Sequence, residues 1–394
     1  MKLVVDANIP ASDACFAEFG EVIRLPGRDI QAHHVRDAYA LIVRSVTQVD
    51  EALLKGSKVE FVGTCTIGTD HVDTAYLARR GIRFASAPGC NAHAVVDYVL
   101  ASLLTEAEKQ GWQLSERRIG VVGLGNVGSR LLARLQALGV TTLACDPPRA
   151  EREKGLDVEP LETLLRHCDV LCLHTPLVAE GEHATHHLLN AARIAALQPG
   201  TLVLNAGRGD CLDNAALRER LSAQRDLTAL LDVWEGEPDI DSSLQGLAAL
   251  ATPHVAGYSL DGKLRGSLMI HHALARHLGS ESSLTLDDIC PLPPLGGLTL
   301  QQAMPVEDAL RLCVRAVYDS RRDHQRLSRE MRQHNTAKAF DLCRADYPLR
   351  REFATLEVTL REGAKTLAPM LSAAGFRVAG SQVTEESSST KRPP

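Results

Sequence analysis

Residues 118–146 read RIGVVGLGNVGSRLLARLQALGVTTLACD, and the order of the parts in this stretch decides the fold. An apolar strand over 119–122 runs into Gly123-Leu124-Gly125-Asn126-Val127-Gly128, a match to G-x-G-x-x-G. A helix over 126–138 opens within that match, and the next apolar strand ends at Asp146. The glycine pattern alone is weak, but strand, turn, helix, strand and acid in this order form the dinucleotide fingerprint. Gly123 permits the tight turn, Gly125 lets backbone approach a pyrophosphate, and Gly128 lets helix and strand pack closely. The free N–H groups and positive dipole end of the helix then face the phosphates. Asp146 is placed to accept from ribose hydroxyls and to repel a 2′-phosphate, so NAD is the expected cofactor; Arg149 nearby weakens that preference slightly.

Outward from this stretch the rhythm continues. RIGVVGLG, TTLACDP, DVLCLHTP, TLVLNAG and LTALLDVW are short apolar runs, each followed by about ten helical residues. That alternation predicts βαβ units and a parallel sheet, here a Rossmann-type doubly wound domain over 100–256. The first 99 residues carry LVVDAN, ALIVRS and EFVGTC and predict a second, smaller α/β domain. A long apolar helix over 95–108 leads from one to the other, and a helix over 262–277 is expected to cross back, so that 257–290 joins the first domain. DICPLPPLGG, 288–297, is a Pro/Gly linker. Beyond it, 291–380 is long enough for a third, small α+β domain with a helix near 306–317. The polar end, 381–394, reads as a disordered tail.

Lys and Arg number 43 against 49 Asp and Glu, giving a net charge of -6. That lacks the basic excess of a nucleic-acid binder. No apolar run reaches the roughly 18 residues of a membrane span. Ten scattered cysteines without a C-x-x-C predict reduced, buried thiols and a cytoplasmic protein.

Three later segments each place a reactive residue just past a predicted parallel strand, where open α/β sheets bind ligands. NAGRGD places Arg208, DVWEGEP places Asp232, Glu235 and Glu237, and TPHVAGY places His254. Oxidation of a hydroxy acid needs a base for the hydroxyl proton, a cation for the carboxylate and a group that orients the base. A histidine titrates near working pH, Glu237 can accept from its other ring nitrogen, and Arg208 can grip a carboxylate with two parallel bonds. Each residue alone is more often structural; the three together beside a dinucleotide fingerprint are not. Glu182, His183, His186 and His187 include an i, i+4 histidine pair, yet without a third ligand they read as a polar loop, and no metal is expected. In GTDHVD, 68–73, Thr69 or Asp70 is expected to cap a helix.

These residues carry a resemblance. GLGNVG (123–128), CDPP (145–148), HTPL (174–177), NAGRG (205–209), DVWEGEP (232–238) and TPHVAGYS (252–259) resemble the D-isomer-specific 2-hydroxyacid dehydrogenases over about residues 1–290. VRSVT (43–47), VGTCTIGTDHVD (62–73), APGCNAHAVVDY (87–98), GYSLDGKLRG (257–266) and the extra C-terminal region resemble a narrower branch of that family, which acts on a phosphorylated four-carbon acid. The resemblance implies a flavodoxin-like substrate domain and a homodimer formed through the C-terminal domain. Arg208, Glu237 and His254 are implied as catalytic. Asp146, Thr175, Asp232 and Gly257 are implied at NAD, with Asp232 on the nicotinamide carboxamide; Ala206 and Gly207 join the glycine loop as cofactor candidates. Ser45, Thr66 and Tyr258 are implied at the substrate. The implied reaction is oxidation of 4-phospho-D-erythronate at C2 to 2-oxo-3-hydroxy-4-phosphobutanoate, on the route to pyridoxal 5′-phosphate. Arg44, Lys263 and Arg265 are candidate phosphate cations. Another 2-hydroxy acid, such as 3-phosphoglycerate or hydroxypyruvate, is the first alternative, and an NAD-sensing binding protein the second.

Overall fold

A computed structural model describes residues 1–379; the tail expected to be disordered, 381–394, lies outside the described residues. Five parallel strands form the first sheet: β1 (Lys2–Asp6), β2 (Glu21–Leu25), β3 (Ala40–Val43), β4 (Phe61–Thr64) and β5 (Arg83–Ala85), in the order β2-β1-β3-β4-β5. This is the flavodoxin-like order. Its central strands are buried on both faces, hence their near-continuous apolar runs. Val4, Leu41, Val43 and Val62 enter one core while Leu3, Val5, Ala40, Ile42 and Phe61 enter the other. Helix α1 (Ala92–Gln110), buried over most of its surface, leads out of this layer.

The second sheet holds β6 (Arg118–Val122), β7 (Thr141–Cys145), β8 (Val170–Leu173), β9 (Leu202–Asn205), β10 (Thr228–Leu231) and β11 (Leu250–Ala251). All pair in parallel, in the order β11-β10-β9-β8-β6-β7. The order reverses between β6 and β8, and such a switch point opens a crevice at the strands' carboxyl ends. Alternation along β8–β10 fills both faces: Leu171, Leu173, Val203, Ala229 and Leu231 enter one core, and Val170, Cys172, Leu202, Leu204 and Leu230 the other. Helix α2 (Asn126–Ala137) opens from the glycine loop. Helix α3 (Leu260–His277) begins where the Ser259 hydroxyl accepts from the Gly262 N–H at 2.9 Å, and returns to pack on β4 and α1.

A third sheet, β12 (Gly297–Gln302), β13 (Glu357–Gly363) and β14 (Arg377–Val378), is also parallel. Helices α4 (Val306–Val317), α5 (Ser320–Met331) and α6 (Thr336–Ala345) separate its first two strands. This region does not stand apart. Leu300, Leu310, Cys313, Phe353 and Phe376 share one apolar cluster with Tyr98, Leu103, Leu131 and Leu135 of α1 and α2. The described residues contain no helix long and apolar enough to cross a membrane.

Candidate active site

The glycine loop follows β6 at the switch point. A Cβ added to Gly123 would lie 2.9 Å from the His174 carbonyl carbon and the Thr175 nitrogen, and one on Gly128 would lie 1.8 Å from the Gly123 carbonyl oxygen. At Gly125 it would meet nothing within 4 Å. The first and third glycines therefore serve protein packing, and the second borders open space, as a dinucleotide requires. No side chain caps α2, whose first residues are Asn126 and Val127. Asp146, the residue after β7, accepts from the Leu124 N–H at 2.7 Å and so ties its carboxylate to this loop. It also caps the short helix Pro147–Arg152. Arg149 donates to the Leu124 carbonyl at 2.8 Å and to Ser129 Oγ at 2.6 Å. Its nearest charged partner is Glu153. Thr175 is buried, with its hydroxyl on Cys211 Sγ, and Gly207 packs on the Leu173 and Thr175 carbonyls beside Ala206.

Arg208, Glu237 and His254 follow β9, β10 and β11, three neighbouring strands. His254 Nδ1 lies 2.7 Å from Glu237 Oε2, while the other Glu237 oxygen accepts from the Trp234 N–H at 2.8 Å. A Cβ on Gly209 would lie 1.9 Å from the Trp234 carbonyl oxygen, so the Arg208 loop sits directly on the segment leading to Glu237. Arg208 is exposed; it donates to the Gly207 carbonyl at 2.8 Å, and no acid among the described residues pairs with it. His254 has φ +55°, a left-handed conformation rare for a side-chain-bearing residue.

Asp232 holds that conformation. Its carboxylate is buried and accepts from Thr252 Oγ1 at 2.6 Å and the Val255 and Ala256 N–H groups at 2.8 and 2.9 Å, while its carbonyl accepts from the His254 N–H at 2.7 Å. A carboxylate has about four acceptor sites, and three serve this loop. One acceptor site of the carboxylate remains, and the expected contact to a nicotinamide carboxamide would use it. Thr252 and the buried Tyr98, whose hydroxyls lie 2.7 Å apart, support this arrangement. Neither stood out in the sequence, although TPH and VVDY contain them. Asn91 was also missed: a Cβ on Gly257 would lie 2.1 Å from its Nδ2, and its Oδ1 is buried without a partner.

On the substrate side, Ser45 and Thr66 follow the adjacent strands β3 and β4. Ser45 is exposed; Thr66 Oγ1 lies 2.6 Å from Thr64 Oγ1. Arg44 is less free than expected, because its guanidinium meets the fully buried Asp6 at 2.9 Å. Arg265 donates to Glu352 at 2.8 Å and to the Cys90 carbonyl, so it holds the C-terminal region in place rather than waiting for a phosphate. Tyr258, four residues past His254, accepts from Arg344 Nε at 3.1 Å. Asp73, not Thr69 or Asp70, caps the helix Thr74–Arg80, because only its carboxylate reaches an N–H of the first turn, that of Tyr76, at 2.8 Å. The histidine loop 182–187 contains no helix: His183 meets Glu151 at 2.9 Å and His187 meets Glu235 at 2.5 Å. Among the described residues, two sets offer ligand atoms within 4.8 Å of one another, His186, His187 and Glu235, and Glu151, Glu182 and His183.

Residues 91–256 match the NAD binding domain of the D-isomer specific 2-hydroxyacid dehydrogenases, and 289–375 match a domain of unknown function. An erythronate-4-phosphate dehydrogenase from Chromohalobacter salexigens is 54% identical over 96% of this chain and 99% of its own length. The chain belongs to the erythronate-4-phosphate dehydrogenases. A second erythronate-4-phosphate dehydrogenase, from Azotobacter vinelandii, is 52% identical over 95% of this chain and 99% of its own. Among solved structures, the TT0316 protein of Thermus thermophilus superposes with a TM-score of 0.59 at 28% identity, covering 72% of this chain and 99% of that one. A cofactor-bound 3-phosphoglycerate dehydrogenase of Entamoeba histolytica, at 22% identity and a TM-score of 0.58, covers 71% and 95% and shares the fold. NAD is the cofactor of this erythronate-4-phosphate dehydrogenase family member, and the open space at Gly125 fits it.

Proposed function

We propose that the chain oxidises 4-phospho-D-erythronate at C2 to 2-oxo-3-hydroxy-4-phosphobutanoate, a step toward pyridoxal 5′-phosphate. The observation that carries this reading is the 2.7 Å pair of His254 and Glu237 at the sheet's carboxyl edge, beside Arg208, which among the described residues has no acidic partner. NAD, when bound, supplies the acceptor for the hydride that leaves C2. His254 Nε2 takes the C2 hydroxyl proton. Glu237 accepts from Nδ1–H, which fixes the tautomer and stabilises the ring once it is charged. Arg208 grips the carboxylate and polarises the forming carbonyl. Ser45, Thr66 and Tyr258 line the substrate side with Arg44.

Gly123, Gly125, Asn126, Val127 and Gly128 would hold the pyrophosphate, Asp146 the ribose, and Thr175, Ala206, Gly207 and Gly257 the nicotinamide half. Asp232 contributes mainly by holding the His254 loop. The same reading divides the chain into a substrate domain (1–99 with 257–290), a cofactor domain (100–256) and a C-terminal domain (291–380) through which two copies pair in the cytoplasm.

The test is a panel of initial rates on 4-phosphoerythronate, 3-phosphoglycerate and unphosphorylated hydroxy acids, with wild type and His254→Ala. The wild type favours 4-phosphoerythronate, and the variant loses turnover by about 100-fold or more while NAD affinity, read by titration, stays within a few-fold. A panel without preference for 4-phosphoerythronate removes the substrate; equal loss of turnover and NAD affinity makes His254 structural.

A further inference from the structure

We infer that Arg344 of the C-terminal region and Lys263 of α3, both beside the Tyr258 ring, form the subsite for the substrate's phosphate dianion. The inference rests on the reading of the chain as a dehydrogenase of a phosphorylated acid, and names the groups that recognise the phosphate.

Tyr258 belongs to the loop of His254, its N–H donating to the Val255 carbonyl. Three side chains converge on it. Arg344 Nε donates to its hydroxyl at 3.1 Å, with the guanidinium carbon 5.7 Å from the ring centre. Lys263 Nζ lies 5.0 Å from that centre. Tyr347 meets the ring edge-on at 5.4 Å. The aromatic thus holds two cations in one place, each attracted by the ring's negative face.

Four other cations of these loops and helices are committed. Arg44 pairs with Asp6, Arg265 with Glu352, Arg351 with Asp261, and Arg350 donates to the carbonyls of Ala94, Val255 and Ala256. Arg344 and Lys263 differ: among the described residues neither has an acidic partner. Arg344 ends α6, where a cation suits the helix dipole, yet its side chain reaches Tyr258 and not the helix carbonyls. Lys263 also senses the charge of Arg44, which follows β3 beside Ser45. Although its side chain is exposed, partial desolvation first, and the charge of Arg44 second, hold its ammonium below the usual lysine range. Such a gathering of like charges is unfavourable until an anion joins it, and a phosphomonoester dianion supplies two charges and several acceptors for Arg344 and Lys263 together. Arg344 then determines specificity without touching the reacting carbon.

The experiment compares kcat/KM on 4-phosphoerythronate and on erythronate for wild type, Arg344→Gln, Lys263→Gln and Arg344→Lys, with inorganic phosphate as a competitive probe. In each glutamine variant the ratio of the two kcat/KM values falls by about 10- to 100-fold, mainly through KM, and phosphate inhibits less well. Arg344→Lys recovers part of the ratio, which mere misfolding would not allow. A ratio unchanged in Arg344→Gln, or equal losses on both substrates, overturns the subsite. A wild type that does not distinguish the two acids instead overturns the assigned substrate.

Discussion

His254 shows how much one residue's role depends on its neighbours. Its φ of +55° is a conformation that costs of order 1 kcal/mol outside glycine, and Asp232 sustains it with bonds on both sides of the residue. The sequence placed Glu237, His254 and Arg208 at strand ends because the apolar runs before them are clear. It could not assign the bonds of Asp232, since an acid past a strand reads alike whether it faces a ligand or backbone. His174 raises a related matter. It follows β8 beside Gly123, is buried, and both ring nitrogens lack partners. Burial pushes its pKa down to about 4, whereas an unfolded histidine titrates near 6.5. Between those values the unfolded chain carries the extra proton, so this contribution to stability is complete above about pH 6.5 and is lost as pH falls toward 4. The expected loss between pH 7 and pH 5 is about 2 kcal/mol. In urea unfolding, His174→Leu should narrow the gap in stability between pH 7 and pH 5 by about that amount; an unaltered gap would assign the acid sensitivity to other groups.

Among elements, the 350–353 segment contributes most to the site without belonging to it. Arg350 donates to the Ala94, Val255 and Ala256 carbonyls at 2.6 to 3.3 Å and lies 3.7 Å over the Tyr318 ring. Arg351 pairs with Asp261, Glu352 accepts from Ser259 and Arg265, and the Phe353 N–H donates to Asp97. The loop after His254 is thereby pinned to α1 and the start of α3. Arg350→Met keeps the apolar stem but removes the guanidinium's bonds to three carbonyls, of which that of Val255 keeps the Tyr258 N–H, so stability should fall by about 2 kcal/mol, with KM for the substrate rising as the loop loosens. Denaturant midpoints and steady-state rates check this, and a variant of wild-type stability would make the segment dispensable. The sequence did not reveal this segment, whose contacts join residues some 90 to 256 positions apart. It revealed the central strands and the helix Val306–Val317 well, because those announce themselves by local apolar pattern. The edge strands β2 and β5 escaped it, since an edge strand is short and carries polar residues where no neighbour covers it.

At the scale of the molecule, the linker at 288–297 marks a change of composition but not of core. Leu310, Cys313 and Val314 of α4, with Phe353, Leu371 and Phe376, share one apolar cluster with α1, α2 and β6. Leu327, Phe340 and Cys343 close the cluster on the opposite face of the second sheet, and the Ala251 N–H at the sheet's edge donates to His324 of α5. Removing residues 291–394 would expose both faces, take Arg351 from Asp261 and the Phe353 N–H from Asp97, and free the loop of His254 from Arg350. At about 25 cal/mol per Å² of apolar surface, even a few hundred Å² uncovered approaches the whole stability of an ordinary domain. The truncated chain is therefore expected to be insoluble or to melt without cooperativity, as read by circular dichroism, rather than to yield a folded monomer. Pairing of two copies has to be measured on the intact chain by light scattering, because truncation would destroy the cofactor domain along with any interface. A soluble fragment of 1–290 that melts cooperatively and binds NAD would show instead that the cluster is divisible and that the C-terminal region is an attachment to a self-sufficient enzyme.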